Sequence, residues 1–323
     1  MKLKSVLVTG GAGFIGSQLI KRILPLCDHI YVIDNLSTGR RDAVPCLSKI
    51  TFIEDSITNI QVLQQVMPKV DYIFHLACSN LLKSVDNLEL DFNTNLYGSY
   101  LLLQYAHKYC EHIKRFVYTS TTSIYGDALL LPTPETYFDI KLPYAASKFS
   151  AEHYCAVYHH LHKLPTSILR LSNAFGPGQT TDNPYCGVIA RFFEAALEQK
   201  PLTIYGDGHQ TRDFTFIDDT IDAILLAAEH KTAIGQIYNV GTEQETSVIM
   251  LAKMILAITG CGNAQINYEA RRPIDIVARR RIDAQRIKED LNWSVRHPII
   301  AGLTKTYEWL RLAETETQNV GWK

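Results

Sequence analysis

Two stretches of this 323-residue chain carry residue types that do chemistry at the spacing found here. The first is Tyr144-Ala145-Ala146-Ser147-Lys148. Four residues apart on a helix, the tyrosine and lysine share one face. A phenol with a pKa of ~10 is a poor base near neutrality. A neighbouring ammonium stabilises the phenolate and brings it into working range. Upstream, Thr119-Ser120-Thr121-Thr122-Ser123-Ile124-Tyr125-Gly126 gathers hydroxyls able to polarise a substrate oxygen. Tyr-x-x-x-Lys is common on surfaces, so its meaning depends on what precedes it.

What precedes it is the second stretch, Thr9-Gly10-Gly11-Ala12-Gly13-Phe14-Ile15-Gly16-Ser17, directly after an apolar run. The glycines read as Gly-x-Gly-x-x-Gly from Gly11 or Gly-x-x-Gly-x-x-Gly from Gly10. One makes a tight turn, one lets backbone amides approach a pyrophosphate, and one lets the following helix pack closely. The helix N-terminus then faces the phosphates with unpaired N–H groups. Asp34 closes the next apolar run, 18 residues beyond Gly16. A carboxylate there accepts bonds from the adenosine ribose and repels a 2′-phosphate, which favours NAD over NADP.

The elements that must position these residues follow from periodicity. Ser5–Thr9, Ile30–Ile33, Ile50–Ile53, Asp71–His75, Arg115–Thr119 and Thr166–Leu171 are continuous apolar runs, as in parallel strands covered on both faces. Helical patterns at Phe14–Leu24, Ile60–Val66, Asn95–Cys110 and Tyr144–His162 separate them. The alternation predicts an α/β fold, a doubly wound parallel (Rossmann) sheet over residues 1–175. Residues 176–323 read as a smaller C-terminal α/β lobe interleaved with that sheet. Its helices are expected at Gly187–Glu198, Asp219–Glu229, Val248–Ile258 and Ile299–Arg311, and its strands at Leu202–Tyr205 and Gln236–Val240. The polar tail from Glu314 is expected to fray.

Composition removes several classes of function. Lys+Arg (32) and Asp+Glu (33) nearly cancel, so no basic field argues for nucleic acid. No apolar run approaches the ~20 residues that span a bilayer, and the N-terminus lacks the pattern of a secretory leader. Seven cysteines, Cys27, Cys46, Cys78, Cys110, Cys155, Cys186 and Cys261, form no metal-binding spacing. They read as mostly small buried hydrophobes in a reducing compartment, the cytoplasm, with no metal site.

Taken together, these residues resemble the extended short-chain dehydrogenase/reductase superfamily, and within it the nucleotide-sugar epimerases and dehydratases. The matching pieces also include His75-Leu76-Ala77, Arg170–Pro177, Tyr205–Phe216, Tyr238–Gly241 and Arg272–Asp275. The resemblance implies that Tyr144 is the general base, that Lys148 binds the nicotinamide ribose and lowers the tyrosine pKa, and that Thr121 is the hydroxyl partner. It places NAD against Gly10, Gly13, Phe14, Ile15, Gly16, Asp34, Asn35, Asp55, Ser56, Ile57, Leu76, Ala77 and Asn95. It places a nucleotide sugar against Ser84, Thr121, Thr122, Asn173, Val188, Arg212, Arg272 and Asp275. Arginines suit a diphosphate because a guanidinium is planar and multidentate.

The implied reaction is inversion at C4, most simply of a UDP-hexose. Tyr144 removes the C4 hydroxyl proton, hydride leaves C4 for NAD, and the 4-keto intermediate turns over and takes the hydride back. The family's dehydratases follow the threonine with Asp-Glu, and its uronate decarboxylases have a glutamate at the second position. This chain has Thr122 and Ser123 there. Dehydratase, decarboxylase, reductase and NAD-binding regulatory readings stay as alternatives, and the sugar stays open. Adjacent side chains in Arg279-Arg280-Arg281 must alternate in an extended segment. The run reads as solvated or paired with Asp283, Glu289 and Asp290, with a uronate carboxylate as the lesser reading. Relatives pair the helices at 95–110 and 144–162 across a dimer. Leu101, Leu102, Leu103, Tyr154, Val157 and Tyr158 therefore point to a homodimer.

Overall fold

The computed structural model describes residues 2–179, 181, 187–262 and 264–320; Cys186 lies outside them. In chain order the strands are β1 (Leu3–Thr9), β2 (Cys27–Asp34), β3 (Ile50–Glu54), β4 (Tyr72–His75), β5 (Arg115–Thr121), β6 (Thr166–Leu171), β7 (Asn173–Phe175), β8 (Leu202–Tyr205), β9 (Thr211–Arg212), β10 (Phe214–Phe216), β11 (Ile237–Val240), β12 (Thr246–Ser247) and β13 (Ile266–Glu269). The helices are α1 (Phe14–Ile23), α2 (Ile60–Val66), α3 (Leu81–Asp86), α4 (Leu88–Asp91), α5 (Gly98–Tyr109), α6 (Pro143–His162), α7 (Val188–Leu197), α8 (Ile217–Glu229), α9 (Val248–Thr259), α10 (Gln285–Leu291) and α11 (Ile299–Val320). The last helix thus continues into the tail expected to fray, as far as Val320.

One seven-stranded sheet has the order β11-β6-β5-β4-β1-β2-β3, with every neighbouring pair parallel. Helices cover both faces, so β5 and β6 are buried at every residue. This is the Rossmann-like sheet that the apolar runs predict. The chain winds outward from β1 to β3, then returns to the other side of β1 at β4. A ligand crevice opens at the carboxyl ends of the strands at such a reversal. β11 comes from the second half of the chain and closes the sheet edge beside β6. Three two-stranded ribbons, β7/β10, β9/β12 and β8/β13, build the region beyond the crevice.

Polar pins lock this frame. His75 is fully buried between Thr9 Oγ1 and Ser99 Oγ, both at 2.8 Å, and burial drives its pKa well below 6.5. It therefore stays neutral and ties β1, β4 and α5 together. Between α4 and α5 the chain makes a π-helical turn, Phe92–Tyr97, rather than the α-helix expected from Asn95. The wide turn directs Asn95 inward, where its Nδ2 donates to Asp91 Oδ1 at 2.6 Å and Ser79 O at 3.0 Å. Its Oδ1 accepts from Ser79 N at 2.8 Å.

Two expectations are corrected. Leu101, Leu102 and Leu103 offer no surplus surface, being 3%, 0% and 0% exposed. They fill the chain's own core against α2 and β4, and Tyr158 is buried as well. Of that set only Tyr154 and Val157 are exposed. Of the six described cysteines, Cys27, Cys110 and Cys155 are buried, Cys78 and Cys261 are half-buried and Cys46 is exposed.

A deeply buried ion pair, Glu152–Arg170, 2% and 3% exposed, joins α6 to β6. Arg170 reaches both carboxylate oxygens from Nε at 3.0 and 3.1 Å and one from Nη2 at 2.6 Å. Removing one partner of such a pair strands the other charge away from water. Glu152→Gln or Arg170→Met is expected to cost about 3–5 kcal/mol, read as a lowered urea midpoint at unchanged slope.

Candidate active site

Local turn chemistry builds the floor of the crevice. Gly10 sits at φ +69°, and a Cβ there would lie 2.6 Å from Ala77 N. A Cβ on Gly16 would strike the Gly10 carbonyl. The two glycines therefore let the turn, β4 and α1 converge. Asp34, 8% exposed, accepts from Ala12 N at 2.9 Å and from Leu36 N at 2.8 Å. Burial raises its carboxyl pKa, and these two amides oppose the rise. Besides its expected role toward a ribose, this carboxylate fixes the glycine turn. On the next loop, Asp55 accepts from Ser56 N at 2.6 Å and Asn59 Nδ2 at 2.7 Å.

At the other end of the crevice, β5 delivers Thr119, Ser120 and Thr121, and the first turns of α6 deliver Tyr144 and Lys148. Thr121 and the Cys78 thiol stand near enough to the Tyr144 hydroxyl to act on its ionisation. Burial pushes the phenol pKa well above 10.0, Cys78 adds to the rise and the Thr121 hydroxyl opposes it. Burial lowers the Lys148 ammonium from 10.5. Lys148 Nζ donates to Thr119 O at 2.6 Å and lies 4.3 Å from the centre of the Tyr118 ring. Thr121 Oγ1 donates to Ser123 Oγ at 3.1 Å and accepts from Ser123 N at 3.0 Å.

One cleft of about 1530 Å³ joins both ends. A small-molecule site takes roughly 300–1,000 Å³, so this volume suits two ligands side by side. Gly10, Gly13, Phe14, Ile15, Gly16, Asp34, Asn35, Asp55, Ser56, Ile57, Leu76 and Ala77 line it, with Thr121, Tyr144, Lys148 and Asn173. Seven of the residues expected at the ligands do not. Asn95 is 1% exposed and acts on Ser79, which does line the cleft. Ser84 is fully buried on α3, and Thr122 is buried where it opens the turn after β5. Val188 opens α7, half-buried. Arg212, its pKa lowered by burial, donates to Thr211 O at 2.7 Å and Val277 O at 3.2 Å. Arg272 grips Asp275 through Nε at 2.8 Å and Nη2 at 2.9 Å, with its guanidinium 4.8 Å from the Tyr205 ring centre.

Three arginines in a row resolve by alternation. Arg279 pairs with Glu245 at 2.5 Å and Arg281 Nε donates to Glu243 O at 2.9 Å, both exposed. Arg280 points the opposite way and is 4% exposed. Asp283, Glu289 and Asp290 are not the partners. Sequence reasoning also passes over Cys78, whose signal is its position directly after His75-Leu76-Ala77. No cluster of three or more His, Cys, Asp or Glu is arranged to hold a metal among the described residues. No described helix is long and apolar enough to cross a membrane.

A parallel doubly wound sheet, a glycine turn at its reversal and a Tyr/Lys pair at the end of β5 define a dinucleotide-dependent α/β enzyme. The chain belongs to the NAD dependent epimerase/dehydratase family, which matches residues 6–241. It is 34% identical to UDP-glucose 4-epimerase of Mycolicibacterium smegmatis, covering 94% of this chain and 98% of that one. It is 32% identical to UDP-glucuronic acid decarboxylase 4 of Arabidopsis thaliana, covering 94% of this chain and 67% of that one. It superposes on the crystal structure of UDP-glucose 4-epimerase with UDP-glucose from Thermotoga maritima with a TM-score of 0.90 at 33% identity, covering 96% of this chain and 99% of that one.

The cofactor is NAD, and the cleft fits it. The hydroxyls of Ser79 and Ser120 face no hydrogen-bond partner among the described residues, are buried, and belong to the lining. The glycine turn leaves backbone where side chains would block a pyrophosphate. Asp34→Ser is expected to narrow the preference for NAD over NADP. It should also weaken NAD itself, because Ala12 and Leu36 lose their acceptor. Calorimetric titration with both dinucleotides reads both effects, and equal wild-type affinities would remove Asp34 from the selective role.

Proposed function

We propose that this enzyme inverts C4 of a nucleotide-activated hexose, with a UDP-hexose as the first candidate. One observation carries the reading over its alternatives. The described carboxylates lining the cleft are Asp34, Asp42, Asp55, Glu194 and Glu198. None lies on the turn after Thr121, where the resemblance places the added acid or base of a dehydratase or decarboxylase. The turn presents hydroxyls alone. The relatives named UDP-glucose 4-epimerase support the same reading, while the decarboxylase relative marks its nearest competitor.

In this reading Tyr144 accepts the C4 hydroxyl proton at its phenolate oxygen and returns it after inversion. Thr121 holds the same oxygen region through its hydroxyl. Lys148 supplies the positive charge that makes a buried phenolate tolerable, and it would hold the nicotinamide ribose. NAD supplies a reversible hydride acceptor, so the net reaction is redox-neutral. The glycine turn, Asp34, Asn35, Asp55, Ser56, Ile57, Leu76 and Ala77 would hold the dinucleotide. Asn173, Arg212 and Arg272 would bind the diphosphate, with Asp275 releasing Arg272 to do so. Ser84, Thr122 and Val188 would act on the sugar side from behind the lining.

We further propose a homodimer through α5 and α6. Tyr97, Tyr154, Val157 and Leu161, 40% to 64% exposed, leave an apolar face that the subunit's own core does not cover. Light scattering at micromolar concentration should give twice the 36.5 kDa chain mass, and Val157→Glu should halve it. A monomeric wild type removes the dimer.

The deciding assay is proton NMR of the enzyme with a panel of UDP-, GDP-, dTDP- and CDP-sugars, scored for C4 inversion. Tyr144→Phe should retain NAD and lose roughly 10²–10⁴-fold in turnover. A pH profile tests the electrostatics. Burial raises the phenol pKa and only the deprotonated form is the base, so kcat should rise with pH and then level. Lys148→Met removes the charge that favours phenolate, so its rising limb should move to higher pH. An unmoved limb would take Lys148 out of this role.

A further inference from the structure

Arg280 is placed by its backbone before its side chain has any choice. Ala278 N donates to Asp127 Oδ1 at 2.7 Å, Thr211 N to Ala278 O at 2.9 Å, and Arg280 N to Thr211 Oγ1 at 3.3 Å. On the far side Thr133 N donates to Arg281 O at 2.8 Å and Asp283 N to Thr133 O at 3.0 Å. Clamped at both ends, the segment sends its middle arginine inward. There Nη1 donates to Thr122 O and Nη2 donates to Gly126 O, the latter at 2.7 Å.

Those two carbonyls bracket the 3₁₀ turn Thr122–Tyr125 that follows β5. A turn this short leaves carbonyls without internal partners. A planar guanidinium can satisfy two of them in one rigid geometry. Thr121, just before the bracket, and Ser123 within it hold each other, and Gly126 N donates to Ser123 O at 3.2 Å. Thr121 lines the same cleft as Tyr144, and its hydroxyl acts on the phenol.

We infer that Arg280 is a positioning residue, which fixes the turn after β5 so that the Thr121 hydroxyl stands against Tyr144. The inference rests on the roles proposed above for Tyr144 and Thr121. It displaces both sequence readings of the arginine run, because Arg280 is neither solvated nor part of the cleft lining where a uronate carboxylate would sit. Burial and the nearby Arg212 lower its pKa to about 10, which still leaves it charged at neutrality. A lysine starts from ~10.4, shifts further when buried, and cannot span two carbonyls in one plane.

The test uses the full-length, NAD-loaded protein and two variants, Arg280→Lys and Arg280→Gln. Amide hydrogen exchange over residues 122–126 should rise in both, with β1 and α1 unchanged. With the best sugar of the NMR panel, kcat should fall about 10²-fold, the scale of a misplacement of about 1 Å. KM should stay within about threefold. If Arg280→Gln fails to fold, Arg280→Lys, which keeps the stem and one donor, carries both readouts. Unchanged exchange at 122–126 overturns the inference whether or not any sugar is turned over. So does a loss confined to KM. A wild type that inverts no sugar overturns the proposed function instead, and the exchange result then decides the inference alone.

Discussion

Glu152 lies one helical turn beyond Lys148, and its carboxylate takes three hydrogen bonds from Arg170. The same guanidinium donates to the Tyr125 hydroxyl at 3.2 Å and to Glu135 O at 2.6 Å. Tyr125 in turn donates to Asn239 Oδ1, and Asn239 Nδ2 reaches Thr133 O and Asp283 O. The chain of contacts thus runs from the helix carrying Tyr144, through the turn after Thr121, to β11 and the C-terminal segment. A buried ion pair gains little net stability over a packed apolar pair, since both charges leave water. Here it supplies registry: α6 cannot slide along β6 without stranding a charge.

That registry matters because burial alone works against the proposed chemistry. It raises the phenol and lowers the ammonium, moving both Tyr144 and Lys148 toward their neutral forms. The Thr121 hydroxyl near Tyr144, and the fields of Cys78 and Glu152 on Lys148, pull the other way. Such influences act only over short distances, so the groups that exert them are placed by rigid elements: β5, α6 and a turn gripped from behind. Small errors in their relative position would leave the phenol inert.

The glycine turn, Asp34 and the Tyr-x-x-x-Lys pair are legible in the sequence because each is a local signature. Three-dimensional placement only has to bring them to one crevice, and the βαβ alternation already implies that. Other features depend on contacts distant in the chain. Leu101, Leu102 and Leu103 look like surplus apolar surface until α2 and β4 are packed against them. Arg280 is indistinguishable from its neighbours by type. Alternation says that it differs from them, but only the clamps at Asp127, Thr211 and Thr133 say which way is inward. The resemblance makes Asn95 a cofactor contact, whereas in the structure it lies behind the cleft lining and acts on the Ser79 backbone, through a π turn that no periodicity announces.

That π turn has a consequence of its own. A π-helical turn holds one residue more than an α-helical turn, and each residue of an α-helix advances the azimuth by about 100°. The extra residue between α4 and α5 therefore works as a phase shifter. Upstream, α4 presents Asp91 to the buried polar cluster. Downstream, α5 presents Ser99 to His75 and its leucines to the core. Both faces are correct only with the surplus residue in place. Deleting one residue from 92–97 would restore a regular helix and rotate one half out of phase with the other. Chain length in this segment is thus a structural variable in its own right, independent of the identity of any side chain.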